Sequence, residues 1–348
     1  MQNKPDYTNL SRFLAGTFLL LLIFLTGLLN SQEIISIDEI AVEKPHVYVV
    51  TNRALIESHD SMMVFRSAPA TDQKHHYFMA QPGEEQWIYA PCPSLNELLS
   101  DKLEYRDLLV FVHGDGKTLQ SATERAMEIQ DLYQVNVLVY AWPSRDMELG
   151  AIKNFKTSYQ NVETTTSMMF DFLTSLETVI RENDKLDDQK VTLFYHSLGN
   201  YYLEKLVEDG YTNLLADSFA NNLIVNAAAV EQQGHHIWLE QIHFAERIIV
   251  NSNDDDISLS GLRVLTRLGR QLGESAEQPL ASNAIYLDFT EVVGFQGMGP
   301  SHSYYFAEKI MKIKEVKDYY MTIFHGEGPT HEMDPILLSH VEGAAKDN

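Results

Sequence analysis

Ser197 closes an apolar, β-prone run, Val191-Thr-Leu-Phe-Tyr-His196, and is followed by Leu203, Leu206 and Val207 at helical spacing. A strand, a sharp turn carrying a serine and then a helix is the setting that lifts a hydroxyl above a sheet edge as a nucleophile. Neutral serine attacks poorly, so it needs a base, and the base needs an acid that fixes its tautomer. Candidates for both follow in the chain. Asn253-Asp254-Asp255-Asp256 stands after a strand-like run, and Asp254 is chosen as the acid because it lies nearest the strand end. His302 stands past a loop with Gly294, Gly297 and Gly299 and is chosen as the base, with His331 and Asp334 in the tail a weaker alternative. His113-Gly-Asp-Gly116 follows an earlier strand. The amides of Asp115 and Leu198 are the expected donors to a developing oxyanion.

Each of these pieces has an ordinary reading as well. A serine ends many strands, His113-Gly114 suits a plain turn, and an aspartate run suits a solvated loop with a helix N-cap. The catalytic reading rests on four features falling at strand ends in the order nucleophile, acid, base. Small residues suit the positions two before and two after such a serine. Gly199 satisfies this and Tyr195 departs from it. The histidines form no HExxH pair and the 12-residue calcium-loop signature is absent, so no metal or cofactor is assigned. Arg263, Arg267 and Arg270 share a helical face and read as partners for acidic surface.

The elements that must position these residues alternate. Leu108–Val112, Val135–Trp142, Val191–Tyr195, Leu223–Ala229, Arg247–Asn251 and Ala284–Phe289 read as strands. Helical periodicities lie between them: Leu119 to Leu132, Met169 to Ile180, Ile257 to Leu272 and Tyr304 to Ile313. This predicts an α/β fold with a doubly wound, mostly parallel sheet. Ahead of it, His46–Val50, Met62–Phe65, Tyr77–Ala80 and Gln86–Ala90 predict an antiparallel extension.

The chain has 348 residues, 45% hydrophobic, with a net charge of -23. The charge argues against nucleic acid, whose phosphates demand Lys and Arg. Cys92 is the single cysteine, which excludes an internal disulfide and a cysteine-based zinc site. Phe13–Leu29 is uncharged, preceded by Lys4 and Arg12 and followed by acidic residues. At about 1.5 Å per residue it reaches roughly 26 Å. Residues 1–30 are therefore read as a signal anchor, with a cleaved signal peptide the alternative. Residues 31–45 are read as a tether and 46–348 as one catalytic domain. The charge asymmetry puts the domain on the periplasmic side of a bacterial inner membrane, held there through residues 13–29, or secreted if the segment is cleaved.

The order Ser197, Asp254, His302 is that of an α/β-hydrolase triad. From Tyr48 to about residue 306 the chain resembles a bacterial α/β-hydrolase-like family of unknown function. The resembling pieces are Tyr48-Val-Val-Thr-Asn-Arg53, Val112-His-Gly114, Tyr140-Ala-Trp-Pro-Ser144, His196-Ser-Leu-Gly-Asn200, Asn253-Asp254, Arg267-Leu-Gly269 and His302-Ser-Tyr304. The resemblance implies a serine hydrolase with Ser197, Asp254 and His302 as its triad. Asp115-Gly116 departs from the Tyr-Asn common after His-Gly in that family. The expected function is a membrane-anchored serine hydrolase of the esterase or lipase kind, cleaving a small-molecule or lipid ester through an acyl-enzyme. Amides, thioesters and acyl transfer remain open. The alternative is a catalytically weak hydrolase fold serving as a binding or assembly module of the cell envelope.

Overall fold

The computed structural model describes residues 32–41, 43–100, 107–183, 186, 188–266 and 269–330. The expected anchor at 13–29, Arg267, Leu268 and the rival pair His331 and Asp334 lie outside the described residues. Among the described residues no helix is long and apolar enough to cross a membrane.

The fold is built on one sheet of 12 strands, in the order β12-β11-β10-β9-β7-β8-β2-β5-β6-β1-β4-β3. In chain order these are β1 (Gln32–Ile37), β2 (Val47–Thr51), β3 (Arg53–His59), β4 (Met62–Pro69), β5 (His76–Pro82), β6 (Trp87–Cys92), β7 (Leu108–Val112), β8 (Asn136–Tyr140), β9 (Val191–His196), β10 (Ala220–Asn226), β11 (Ala245–Ser252) and β12 (Ala284–Asp288). From β12 to β2 all neighbours pair in parallel. Beyond β2 the pairs are antiparallel except β1 with β6. The fold class expected from the alternating runs is the one observed: a mostly parallel sheet with an N-terminal antiparallel extension.

The helices are α1 (Leu95–Leu98), α2 (Leu119–Tyr133), α3 (Ala151–Glu182), α4 (Tyr201–Glu208), α5 (His235–Leu239), α6 (Ile257–Thr266), α7 (Thr290–Val293), α8 (Met298–His302) and α9 (Lys314–Phe324). Successive strand residues point to opposite faces, so each central strand feeds two cores. Val110, Leu193, Tyr195 and Val225 pack with Phe172 and Leu176 of α3 and Leu203 and Leu206 of α4. Leu109, Phe111, Phe194 and Ile224 pack with Ala126 and Ile129 of α2 and Tyr320 and Phe324 of α9. That double burial is why these strands read as unbroken apolar runs.

Three expectations are corrected. The first concerns the tether: Gln32–Ile37 is not a linker but β1, paired with β4 and β6. Its polar residues are tolerated because it lies in the solvent-facing extension, and Glu33 has a specific partner. Second, β3, whose face is mostly exposed, was not recognised. Third, the helix expected over Tyr304–Ile313 is replaced by turns with a short 3-10 segment at Ile310–Lys312, and the regular helix comes later, as α9. Tyr304, Tyr305 and Ile310 are buried there as single anchors of an irregular segment.

The extension is tied to the parallel half by a buried ion pair. Arg53 is fully buried, and its Nη1 donates to Glu33 of β1. Its Nη2 donates to the carbonyls of Lys117, at 3.1 Å, and Trp142, at 3.0 Å. Glu33 accepts in turn from the Leu119 amide at the start of α2 and from Ser67 Oγ. One guanidinium thus ties the loops after β7 and β8 to β1 of the antiparallel extension. Arg53→Met should cost roughly 3–5 kcal/mol, because the Glu33 carboxylate is left desolvated without its cation. Chemical denaturation measures this, and a loss below about 1 kcal/mol would show the pair to be dispensable.

Candidate active site

Ser197 sits in the turn between β9 and α4 with φ of 53°, a left-handed conformation that is costly for a residue with a Cβ. The surroundings hold it there. Asn200 Nδ2 donates to the carbonyls of Tyr195, Ser197 and Asn226, and the Ala229 amide donates to the Ser197 carbonyl at 3.1 Å. Gly199 packs on the end of β7. A Cβ there would lie 2.7 Å from the Val112 carbonyl oxygen. Gly114 packs on the serine itself, where a Cβ would lie 2.6 Å from Ser197 Cβ. These contacts account for His-Gly and Ser-Leu-Gly-Asn as motifs. The expected need for a small residue at 195 is not met, because Tyr195 turns away into the core beneath α3, its hydroxyl 3.7 Å from Met169 Sδ.

The carboxylate expected at Asp254 is elsewhere. Asp254 is largely exposed and pairs with Arg270. Asp256 is the residue that meets the histidine: His302 Nδ1 lies 2.6 Å from Asp256 Oδ2, and the carboxylate is fully buried. β11 runs one residue further than expected, and the chain then turns, the Asp256 amide donating to the Asn253 carbonyl at 3.0 Å. That turn swings Asp254 outward and Asp256 inward. Asp256 Oδ1 also accepts the amides of Ser258 (3.0 Å) and Leu259 (3.2 Å), capping α6. Its position directly before the first helical residue, Ile257, was the available signal.

His302 is the last residue of α8, not the residue before a longer helix. Two neighbours hold its backbone. Asn253 Nδ2 donates to the Ser301 carbonyl at 2.9 Å, and His196 Nε2 lies 3.3 Å from the His302 carbonyl. That contact makes His196 Nε2 the donor. Burial pushes the His196 pKa well below the ordinary histidine value, so its ring is neutral. With Nδ1 of His302 facing Asp256, Nε2 is the ring nitrogen left for the serine side. His302 and Ser197 line one cavity, together with His113, Gly114, Asp115, Lys117, Arg125 and His196.

The loop after β7 is clamped from β8. Trp142 Nε1 donates to the His113 carbonyl at 2.7 Å, and the two rings stack with centroids 5.4 Å apart. Burial pushes the His113 pKa down to about 3. Ser144 Oγ accepts the Lys117 amide (2.9 Å), and its carbonyl accepts the Gly116 amide (2.9 Å). Asp115 stands where an oxyanion hole would form, and its carboxylate is turned aside: Oδ1 accepts from Asn154 Nδ2 of α3 at 2.9 Å. Desolvation raises its pKa. Leu198 lies directly after Ser197, its side chain buried in the core. Sequence reasoning set Asp256 behind Asp254 and did not single out His196, Asn154, Lys117 or Arg125. Among the described residues no cluster of His, Cys, Asp and Glu could hold a metal ion.

No curated protein matches the chain. A family model does, over residues 93–313, which takes in the loop after β7, the serine turn, Asp256 and His302. The chain belongs to that family, described as alpha/beta hydrolase of unknown function (DUF900).

Proposed function

We propose that this chain is a serine hydrolase acting on carboxylic esters, with Ser197 as nucleophile, His302 as base and Asp256 as the acid that orients it. The observation that carries this reading is the 2.6 Å contact between His302 Nδ1 and the buried Asp256 Oδ2, in a cavity shared with the strained Ser197. His302 Nε2 takes the Ser197 proton as Oγ bonds to the ester carbonyl carbon. The carbonyl oxygen becomes an oxyanion facing the Leu198 and Asp115 amides. The carbon–oxygen bond to the alcohol then breaks, His302 returns its proton to the leaving alkoxide, and an acyl-enzyme remains. Water, deprotonated by the same nitrogen, releases the acid. Asp256 stabilises the imidazolium throughout and keeps its own charge.

From the charge asymmetry around Phe13–Leu29 we further propose that the domain is anchored in the inner membrane and faces the periplasm. An alkaline phosphatase fused after Asn348 should be active in cells. An inactive fusion, paired with a cytoplasmic reporter that works at the same site, would reverse the orientation.

A fluorophosphonate probe should label folded wild-type protein at Ser197, and Ser197→Ala should abolish labelling. With a 4-nitrophenyl ester the same variant should lose on the order of a thousand-fold or more in kcat while keeping its circular dichroism spectrum. Folded wild-type protein that resists the probe would instead favour a non-catalytic binding module.

The two aspartates separate cleanly. Asp256→Asn should lower kcat by roughly 10³–10⁴. Asp254→Asn removes only an exposed pairing with Arg270 and should stay within about threefold of wild type. The opposite ranking would restore Asp254 as the acid and refute the geometry.

A further inference from the structure

Resting on the serine hydrolase reading above, we propose that Lys117 and Arg125 form an anion-binding subsite of the Ser197 cavity, so that the ester cleaved there carries a carboxylate or phosphate near its scissile carbonyl. Both side chains line that cavity with Ser197 and His302. Several other cations of this acidic chain are paired with carboxylates: Arg53 with Glu33, Arg181 with Glu177, Lys205 with Glu208, and Arg270 with Asp254 and Glu277. Lys117 Nζ has no hydrogen bond or ion pair among the described residues. It is nonetheless rooted, because its amide is held by Ser144 and its carbonyl by Arg53.

Arg125 reaches the cavity from α2 with its plane fixed. Nε donates to Glu128 at 2.7 Å, Nη1 lies 3.4 Å from the Tyr305 hydroxyl, and the guanidinium carbon sits 3.2 Å above the Phe306 ring. Burial and this neighbouring guanidinium hold the Lys117 pKa down, at about 8, against the opposing pull of Glu128 and Glu124. Two cations kept close in a partly desolvated cleft repel, and an anion between them relieves the repulsion and meets donors already in place. The cavity is small, about 140 Å³. Pockets for drug-sized ligands run at roughly 300–1,000 Å³, so the group held beside the serine is short.

Two matched ester pairs test the subsite, with enzyme-free rates subtracted. 4-Nitrophenyl hemiglutarate against 4-nitrophenyl pentanoate places a carboxylate on the acyl side. The butyryl ester of 4-hydroxyphenyl phosphate against that of 4-methoxyphenol places a phosphate on the alcohol side. In one pair kcat/KM should favour the anionic ester, and which pair does so assigns the side. Lys117→Met and Arg125→Met should each lower that anionic-to-neutral ratio by roughly tenfold, since each removes a charge-assisted contact. Lys117→Arg should restore most of it. Fluorophosphonate labelling runs in parallel as the readout of Ser197 itself. Labelled wild-type protein that prefers neutral esters, turns over none of the four, or keeps its ratio in both Met variants overturns the subsite and leaves the nucleophile standing. Wild-type protein neither labelled nor active overturns the hydrolase reading, and the subsite with it.

Discussion

The site depends on one desolvated charge held by three partners. Arg53, the first residue of β3, points into the interior and finds Glu33 on β1, a strand of the antiparallel extension. Its remaining reach goes to two carbonyls, one in the loop after β7 and one after β8. A buried guanidinium is expensive unless every partner is in place, so it enforces the joint position of the segments that supply them. Glu33 spreads the constraint by accepting the first amide of α2. The extension that looked like decoration on a parallel sheet is thereby part of the scaffold of the active-site loops.

Three histidines around the serine take three different roles because their surroundings differ. His113 is sealed against Trp142 and stays neutral, and its backbone rather than its ring serves the loop. His196 is neutral for the same reason, and spends its Nε2 proton on the carbonyl of His302. His302 is the one of the three with a carboxylate against its ring. Only an imidazole held in that way can accept a proton and be stabilised as the cation. The residue before Ser197 therefore holds His302, and Asn253, three residues before Asp256, holds the segment carrying His302. The three side chains are positioned by one another's neighbours.

Electrostatics set the site apart from the rest of the surface. A chain with a net charge of -23 repels anions at long range, and a substrate bearing one must be drawn in by local charge. Lys117 and Arg125 line the cavity, while the Asp115 carboxylate is turned toward Asn154 and burial raises its pKa. The departure from Tyr-Asn to Asp115-Gly116 thus puts a carboxylate in the cavity wall that is anchored to Asn154 of α3.

Much of this was legible in the sequence, for reasons that are local. Strands buried on both faces must be apolar throughout, so Leu108–Val112 was read to the residue, and the turn at Ser197 announces itself by the break from that pattern. His302 was legible because few histidines follow the last strand. The acid was not. Choosing among Asp254, Asp255 and Asp256 depends on how many residues the turn after β11 consumes, and a hydrogen bond from the Asp256 amide to Asn253 decides that only once the strand end is fixed. Nor could β1 be read, since a half-exposed strand with glutamate in it has no apolar signature. Glu33 is polar in sequence and structural in space, because the cation it answers is 20 residues away. Sequence alone determined the fold class and singled out Ser197 and His302 through patterns within single segments. Tertiary structure decided which carboxylate meets His302, the charge clamp and the cationic cavity wall, each of which is a contact between segments that no single segment encodes.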